Sequence, residues 1–422
     1  MQKWEPHGTA PTWFERQIVT DAPIIWPLAP RRLYRLRAGE AARARGFVRV
    51  ALDRGGGAAR DLLAPLGADL DLLLRPLSGA VTASSPADEA TIEPLGWRAT
   101  AVVLLRRRFT SLRRSVLHFD GVEVFPEGSK TKTRRFRKQL NIARHSRMAF
   151  DSPFVAAHPE LIAGWPTEPA AAERPRAQGN LGIAVALHLH YVDLWSEIET
   201  LLRRWRTPFT LFVTLTADDR ELAARARSAF PNVVVRVVDN HGRDVRPFLT
   251  LLEEGAFDPF ELVCKIHGKR SLGGERLPIF GDVMRRAAFL DLIAEDRQVQ
   301  AIVRRFADDP RLGLVGPRRF LSASRPDAPR DAVGPPNRQN VEALAARMGA
   351  PIRDDDFDFF EGTMFWTRPR ALAPLRRLGL AADAFAPEAG QVDGALEHAV
   401  ERLFNHAARV AGFRVADAAV ED

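Results

Sequence analysis

Predicted strands and helices alternate strictly through the middle of this chain, and this alternation limits the fold more than any other feature. Strands are predicted at 183–189, 209–215, 233–238 and 262–266, and the first of these is a continuous apolar run suited to a buried parallel strand. Helical spacing of apolar residues lies between them, at 193–205, 218–230 and 247–254. Strands that alternate with helices form a mostly parallel sheet with helices on both faces. We therefore predict an α/β fold here.

The chain has 422 residues, which suits two or three domains better than one core. Residues 156–181 are rich in Pro, Ala, Glu and Gly and are predicted to be a linker. They separate residues 1–155, predicted to be a smaller α/β or α+β domain, from the parallel-sheet domain at 182–422. In the first domain an apolar run at 24–28 ends at a proline-rich bend, and we predict strands at 46–52, 100–105 and 116–124 and a helix after the glycines at 55–57.

Composition excludes some classes of protein and leaves others open. The single cysteine, Cys264, allows no intramolecular disulfide and no cysteine-based zinc site. No apolar run is long enough for a membrane span, and charges interrupt the N-terminus where a signal peptide would be apolar. We expect a cytoplasmic protein. The net charge of +8 suits nucleic acid, an anionic membrane or a phosphate-bearing substrate.

A basic stretch at 127–148 ends the first domain. It is either a solvated helix or linker, or a segment that attaches to anionic lipid on the inner face of the cytoplasmic membrane. Nucleic acid ranks third because no recognisable binding module surrounds the stretch. We therefore expect no nucleic-acid partner.

Ligands of parallel sheets bind beyond the carboxyl ends of the strands, so the residues that follow each strand are the candidates for a site. The third strand is followed by Asn240, Gly242, Arg243 and Asp244. Gly242 can take a positive φ and let the backbone approach a ligand, and an arginine before a helix can bind a diphosphate. The alternative is a salt-bridged turn in which Asp244 caps the helix.

The fourth strand carries Lys265 and His267 on one face and is followed by Lys269. A lysine in a buried strand is costly unless it is paired or faces a ligand. These cations would neutralise a leaving group with two phosphates.

The first strand ends in His188, His190 and Tyr191. The two histidines share a strand face and suit polar lining for a base or sugar better than a metal, because no third ligand lies in the motif. The acidic run 354–358 is either a metal site or, more commonly, a surface loop. We predict no metal ligands.

The last two motifs combine aromatic and acidic residues. The aromatic segment 359–366 includes Gly362, Thr363 and Trp366, and suits a sugar face or ordinary core packing. Asp393 stands at a predicted helix start, where it is either an N-cap or an ionised general base, with Glu397 one turn later as its alternative.

In order, the segments IAVALHLHY, DNHGRDVRPFL, ELVCKIHGKRS, EGTMFW and DGALEHAVERLF resemble the rhamnan synthesis protein F family of bacterial cell-surface polysaccharide assembly. The resemblance covers about 182–404. It implies a GT-A-like glycosyltransferase that moves a sugar, rhamnose or similar, from a nucleotide-diphosphate donor to a polysaccharide or lipid-linked glycan.

The resemblance also implies roles for the candidate residues. Asp393 would be the base, and EGTMFW the acceptor-side strand. Lys265 and His267 stand where such enzymes usually keep a metal-binding Asp-x-Asp, so with Lys269 and Arg243 they would hold the diphosphate without a metal cofactor. His190 and Asp244 would line the donor pocket. The alternative function is a non-catalytic scaffold in polysaccharide assembly.

Overall fold

A computed structural model describes residues 23–45, 47–55, 60–65, 71–85, 90–109, 116–119, 121–127, 136, 158, 160–165, 182–270, 279–322, 333, 336–353, 357–388 and 393–418. The chain divides into two compact units, 1–158 with 271–279 and 159–270 with 280–422. Among the described residues, no helix is long and apolar enough to cross a membrane.

The first unit contains two small antiparallel sheets. The strands are β1 Ile24–Leu28, β2 Tyr34–Ala38, β3 Phe47–Asp53, β4 Arg60–Pro65, β5 Asp71–Pro76, β6 Val81–Ser85, β7 Ala90–Pro94, β8 Leu117–Phe119 and β9 Val122–Glu127. One sheet has four strands in the order β1-β6-β3-β4, and the other has five in the order β7-β2-β5-β9-β8. The helices are α1 Glu40–Arg45 and α2 Trp97–Phe109. This arrangement fits the α+β alternative for the first domain.

Three sequence predictions in this unit need correction. Residues 100–105 lie within the helix α2, because a short apolar run alone does not distinguish a buried strand from a helix. The stretch after the glycines at 55–57 continues as the strand β4. The single strand expected at 116–124 is a hairpin of β8 and β9, which turns at Gly121 with a φ of 72°.

The second unit is built on one seven-stranded sheet. Its strands are β10 Ile183–Leu189, β11 Thr210–Leu215, β12 Val233–Val237, β13 Leu262–His267, β14 Leu312–Gly316, β15 Phe365–Thr367 and β16 Arg414–Asp417. Their order is β12-β11-β10-β13-β15-β14-β16, and all pairings are parallel except those of β15, which is antiparallel to both neighbours. The predicted mostly parallel α/β sheet is confirmed.

Helices cover both faces of this sheet, as expected from the alternation. They are α3 Glu160–Ala163, α4 Trp195–Arg203, α5 Arg220–Ala229, α6 Val245–Glu253, α7 Ile279–Leu292, α8 Asp296–Asp308, α9 Arg338–Arg347, α10 Ala373–Arg376 and α11 Leu396–Val410. Neighbouring residues of β15 identify the two faces. On one face, the ring centroids of Phe365 and of Phe404 in α11 are 4.8 Å apart. On the other face, the ring of Trp366 stacks on that of Trp205, just after α4, with 5.6 Å between the centroids.

The strand order reverses between β10 and β13. From β10 the chain adds β11 and β12 on one side, and then returns to place β13 on the other side. Such a topological switch point opens a crevice at the carboxyl ends of the two strands. The crevice between β10 and β13 is therefore where the fold places a ligand.

Some sequence predictions fall mostly outside the described residues. Of the basic stretch 127–148, only Glu127 and Phe136 are described. Of the predicted linker 156–181, the described part includes the short helix α3, whose Leu161 carbonyl accepts a hydrogen bond from Arg286 at 3.2 Å. Residues 354–356 of the acidic run are also outside the described part.

Candidate functional site

Buried polar side chains meet at the switch point. The parallel register of β10 and β13 sets Ala186 beside Lys265 and His188 beside His267. The Lys265 side chain is 2% exposed, and both histidines are also buried. With Asp244 and Thr363 they form what we call the switch-point network: His188, Asp244, Lys265, His267 and Thr363.

Lys265 is neutralised within the protein. Its Nζ donates to the Asp244 carboxylate at 2.5 Å and to the Thr363 carbonyl at 2.8 Å. The same ammonium lies 5.6 Å and 5.9 Å from the ring centroids of Phe248 and Phe365. Burial lowers the pKa of Lys265, while Asp244 acts in the opposite direction. A buried lysine is tolerable when it is paired within the protein or when it faces a ligand, and here it is paired within the protein.

Asp244 is the centre of the network. Its carboxylate also accepts a hydrogen bond from the Thr363 hydroxyl and lies 3.7 Å from His267 Nε2. Burial alone would raise the pKa of Asp244, but His267, Lys265 and the Thr363 hydroxyl hold it far below its usual value. Asp244 occupies the N-cap position of α6 without a side-chain capping bond. Its carboxylate is therefore used across the sheet and not for the helix end.

The turn at 362–363 closes the network from the β15 side. His267 Nε2 lies 2.8 Å from the Gly362 carbonyl, so Nε2 carries the proton and donates. Gly362 has a φ of 91° and Thr363 a φ of 52°. Positive φ at a threonine is strained and requires firm support from its surroundings. Glu401 supplies part of this support, because its carboxylate accepts a hydrogen bond from the Gly362 N–H at 2.6 Å. Burial raises the pKa of Glu401.

A small cavity lies between the switch-point network and the helix α6. It measures about 10 Å³, enough for about one water molecule, and is lined by Ala186, Leu187, His188, Thr214, Asp244, Phe248, Leu251, Lys265 and Ile266. His188 Nδ1 lies 3.0 Å from the Thr214 hydroxyl. Burial lowers the pKa of His188 to about 3 and that of His267 to about 4. Both are therefore neutral at physiological pH.

The turn from β12 to α6 carries the next group of candidates. Gly242 has a φ of 61°, and an added Cβ would come within 2.5 Å of the Phe385 ring. Arg243 follows with a φ of 54°. Its guanidinium donates to Glu388 from Nε at 2.7 Å and from Nη2 at 3.2 Å, and its Nη1 lies 3.2 Å from His398 Nε2. Asn240 lies in the same turn, partly exposed.

The contact between Arg243 and Glu388 joins the turn before α6 to the segment 385–388. His241 forms a β-bridge with Pro387, and its Nδ1 lies 3.0 Å from the Phe385 carbonyl. Glu388 was not among the sequence candidates. It lies 145 residues from Arg243 in sequence, so no local pattern connects the two.

Two candidates after β10 lie nearer the surface. His190 is exposed, and its Nδ1 lies 2.9 Å from the Thr216 hydroxyl. The Tyr191 ring meets His190 edge-on, and the Arg270 guanidinium lies 5.4 Å from the tyrosine ring centroid. Arg270 also forms an ion pair with Asp193. Aromatic and basic groups are thus exposed together beside the switch point.

Lys269 differs from Lys265. It is partly exposed, and its ammonium makes no ion pair with another described residue. Its carbonyl accepts a hydrogen bond from Arg285 Nη1 at 2.6 Å. The Lys269 backbone is thus fixed, and its charge opposes the rise that burial causes in the pKa of Glu401.

A buried cluster behind Lys269 was missed by the sequence analysis. Arg285 is 0% exposed and donates to Glu197 at 3.1 Å, and Arg286 donates to the same carboxylate at 2.8 Å. Burial would raise the pKa of Glu197, but hydrogen bonds and charge from both arginines hold it below its usual value. Charged residues on a helix usually face solvent, so the sequence carried no signal of this burial.

The acidic candidates at α11 occupy different environments. Asp393 does not cap the helix, which begins at Leu396 with Ala395 at its N-cap. The buried Asn337 side chain holds both Asp393 and the N–H of Gly394, and Gly394 has a φ of 88°. A positive φ is incompatible with the helix, which therefore starts later than predicted. The second Asp393 oxygen accepts from Arg402 at 3.2 Å.

Glu397 is buried, 3% exposed, on the first turn of α11. Its Oε2 has no hydrogen-bond partner among the described residues. Burial raises the pKa of Glu397, Arg243 opposes that shift, and Glu388 and Asp244 add to it. Glu397 is thus a carboxyl group beside Arg243 with an unfilled acceptor position.

The remaining candidates have structural partners. Trp366 is 0% exposed and its indole N–H donates to the Leu292 carbonyl at 3.1 Å, so this side chain is core packing and does not line the crevice. Asp358 accepts from Asn405 and Arg409, both at 2.8 Å. Within the described part of the chain, no group of three or more His, Cys, Asp or Glu side chains could hold a metal ion.

Fold and site together define an α/β protein with a polar cluster at the switch point of a mostly parallel sheet. The chain belongs to the rhamnan synthesis protein F family, whose model matches residues 168–413. This confirms the resemblance seen in the sequence motifs and links the chain to rhamnan and polysaccharide synthesis.

Two relatives with similar sequences come from Xanthomonas campestris pv. campestris. Each is the uncharacterized protein WxcX of one strain, and each is 31% identical to this chain over 232 residues. The matched segment covers 55% of this chain but 32% of the relative. The chain therefore matches about a third of the length of these relatives.

Proposed function

We propose that this protein is a glycosyltransferase with a GT-A-like domain at 182–422. It would move a sugar, rhamnose or similar, from a nucleotide-diphosphate donor to a cell-surface polysaccharide or lipid-linked glycan. One observation carries the proposal: in a family linked to rhamnan synthesis, side chains from distant parts of the sequence converge on the switch point between β10 and β13. The domain boundaries at 155 and 182, and a cytoplasmic location on or near the membrane, are part of the same proposal.

The donor would bind beyond the carboxyl ends of β10 and β13. The first four strands of the sheet, in the order β12-β11-β10-β13, repeat the 3-2-1-4 order of nucleotide-binding sheets, which supports this position. Lys269 and Arg243 would contact the diphosphate, because Lys269 is unpaired among the described residues and Arg243 is half-exposed. His190, Tyr191 and Asn240 would contact the base or the sugar.

Lys265 and His267 would act on the donor indirectly. Both are buried and bonded to Asp244 or to the 362–363 turn, so they would fix the floor of the site. Charge stabilisation of the leaving diphosphate would come from Lys269 and Arg243, without a metal cofactor. Full loss of turnover in EDTA, restored by manganese, would refute that part of the proposal.

Glu397 is the better-supported of the two candidate bases. A base must accept a proton from the acceptor hydroxyl, and Glu397 has an unpartnered oxygen and a raised pKa. Both oxygens of Asp393 are already hydrogen-bonded, to Asn337 and to Arg402. Asp393 would then position the start of α11 rather than take the proton.

The experiment that tests the function is a thermal-shift screen against nucleotide sugars, including the rhamnose donor, followed by a transfer assay with the donor that binds. Bound donor at about a hundred times its Kd would stabilise the fold by about 2.7 kcal/mol, which is measurable as a higher Tm. A donor that raises Tm and whose sugar is transferred supports the proposal. Binding of no nucleotide sugar would refute it.

A second candidate is a non-catalytic partner in polysaccharide assembly. It is favoured by the internal pairing of several charges near the crevice: Lys265 with Asp244, Arg243 with Glu388, and Asp393 with Arg402. A protein whose charges satisfy one another can be stable without a ligand. This candidate predicts a Tm that no nucleotide sugar changes.

A further inference from the structure

Among its described side chains, the helix α2 of the first unit packs on a core through Val103 and Leu104. Val103 and Leu104 are partly buried against a small core formed by Leu33, Leu73, Leu95, Val116 and Phe125. An amphipathic helix on the surface of a soluble domain normally has polar residues on its opposite face. The opposite face of α2 does not follow that rule.

That outer face is apolar and exposed. Trp97 is 77% exposed, Val102 48% and Leu105 61%. Trp97, Ala101 and Leu105 follow one another at intervals of four residues, and each such step turns about 40° around the helix axis, so the three form one stripe. We call Trp97, Arg98, Ala101, Val102 and Leu105 the α2 outer face. Single exposed apolar residues are ordinary, but a stripe of them along one helix marks an interaction surface.

The charge of α2 is entirely positive. Its sequence, WRATAVVLLRRRF, contains four arginines and no acidic residue. The Arg98 guanidinium lies 5.2 Å from the centroid of the Trp97 ring. A basic helix with tryptophan and leucine exposed on one side has the composition of helices that lie in a membrane interface.

We propose that the α2 outer face docks on an anionic lipid surface. Trp97, Val102 and Leu105 enter the boundary between headgroups and acyl chains, and Arg98 contacts the anionic headgroups. The helix has 13 residues and is about 20 Å long, which suits a position parallel to the membrane plane and is too short for a span. The α2 outer face and the switch-point crevice belong to different units of the chain, and the proposal stands whether or not the protein transfers a sugar.

A lipid surface accounts for both properties of the face at once. Nucleic acid would pair with the arginines but would leave the exposed apolar stripe in contact with phosphates and water. A bilayer interface takes up apolar side chains and also provides the negative charge. The tryptophan suits this boundary because its ring is apolar and its N–H is polar.

The test is co-sedimentation of the full chain with vesicles, either of phosphatidylcholine alone or with about one third phosphatidylglycerol. We expect binding to the anionic vesicles and much weaker binding to the neutral ones, with a steep decrease as salt is added. The double variant Trp97→Ala/Leu105→Ser should bind the anionic vesicles at least about tenfold more weakly. Since both side chains are exposed, the variant should unfold at the same temperature as the wild type.

The matched control is Val234→Ser/Val237→Ser, which removes two exposed apolar side chains from β12 in the other unit. It should bind like the wild type. Equal binding of the wild type to neutral and anionic vesicles, or no binding, would overturn the proposal. So would wild-type binding by the α2 variant, because the attachment would then come from another basic part of the chain.

Discussion

Lys265 and Asp244 form a buried ion pair, with 2.5 Å between Nζ and Oδ2, across the point where β13 meets the start of α6. The Lys265 side chain is 2% exposed and that of Asp244 is 13% exposed. Each charge needs the other, because a lone charge at this depth would have no compensation for its lost hydration. The pair also holds the 362–363 turn, since Lys265 donates to the Thr363 carbonyl and the Thr363 hydroxyl donates to Asp244.

Removing one partner of this pair should destabilise the fold strongly. Asp244→Asn leaves the Lys265 ammonium buried without a counter-charge, and we expect the free energy of unfolding to fall by about 3–5 kcal/mol. Urea denaturation at neutral pH measures the change. The double variant Asp244→Asn/Lys265→Met should recover much of the loss, because it removes both charges and keeps an apolar stem beside Phe248 and Phe365.

The control for that comparison is Asp218→Asn. Asp218 pairs with Arg220 at the surface, with side chains 67% and 93% exposed, and such pairs contribute little. Its urea midpoint should match that of the wild type. If Asp244→Asn were as stable as Asp218→Asn, the ammonium of Lys265 would be solvated or uncharged, contrary to the buried pair.

Acid should destabilise the fold through the two histidines of the network. Burial lowers the folded-state pKa of His188 to about 3 and of His267 to about 4, whereas an unfolded histidine has a pKa of ~6.5. Below pH ~6.5 the unfolded chain binds more protons than the folded chain. The stability gained by keeping both histidines neutral is therefore fully present above pH ~6.5 and is lost as the pH falls towards 4. Each histidine should add a slope of up to about 1.4 kcal/mol per pH unit.

The slope is measured by urea denaturation at a series of pH values between about 5 and 8. His188→Gln and His267→Gln should each have a shallower slope than the wild type, and the double variant should be shallower again. If both single variants kept the wild-type slope, these histidines would not be buried in the neutral form.

Glu388 should compete with phosphate groups for Arg243. The carboxylate engages Nε and Nη2, which is the bidentate geometry that a phosphate would use. Glu388→Gln removes the negative charge, and a partly exposed pair of this kind is worth about 1 kcal/mol, which corresponds to about fivefold tighter binding of a diphosphate. Isothermal titration with inorganic pyrophosphate measures the affinity.

Glu254→Gln is the matched control for that titration. Glu254 pairs with Arg236 near the edge of the sheet, and its loss changes the net charge by the same amount as Glu388→Gln. Pyrophosphate should bind this control as it binds the wild type. Equal tightening by both variants would mean that net charge, and not the Arg243 contact, controls the affinity.

The two acidic candidates should differ in their effect on catalysis if the protein transfers a sugar. Glu397→Gln should lower kcat by ~10²–10⁴-fold, the range for loss of a general base. Asp393→Asn should have a smaller effect, because its amide oxygen can still accept from one of the two donors, Asn337 or Arg402. The acid limb of the kcat/KM profile should lie above the ordinary range of a glutamate, since burial raises the pKa of Glu397. If Asp393→Asn lowered kcat more than Glu397→Gln does, Asp393 would be the base.

Much of the second unit could be predicted because local patterns decide it. The apolar runs of β10, β11 and β13 are buried on both sides and appear as continuous apolar segments, so the parallel sheet was evident from the sequence. The apolar run in α2 was assigned to a strand, because its length and composition suit either structure. The motifs also placed the candidate residues after the correct strands, since strand ends in such a sheet share one edge.

The sequence by itself thus determined the α/β class, the family and the edge at which polar residues gather. Only the tertiary structure decided which charges are paired. The partners of Lys265, Arg243 and Asp393 lie 21, 145 and 9 residues away, while those of Arg285 and Arg286 at Glu197 lie 88 and 89 residues away. Burial and long-range pairing arise when separate segments pack together, and they determine the charge state of each group. For that reason Lys265, which the sequence assigned to the diphosphate, is the partner of Asp244 in the folded chain.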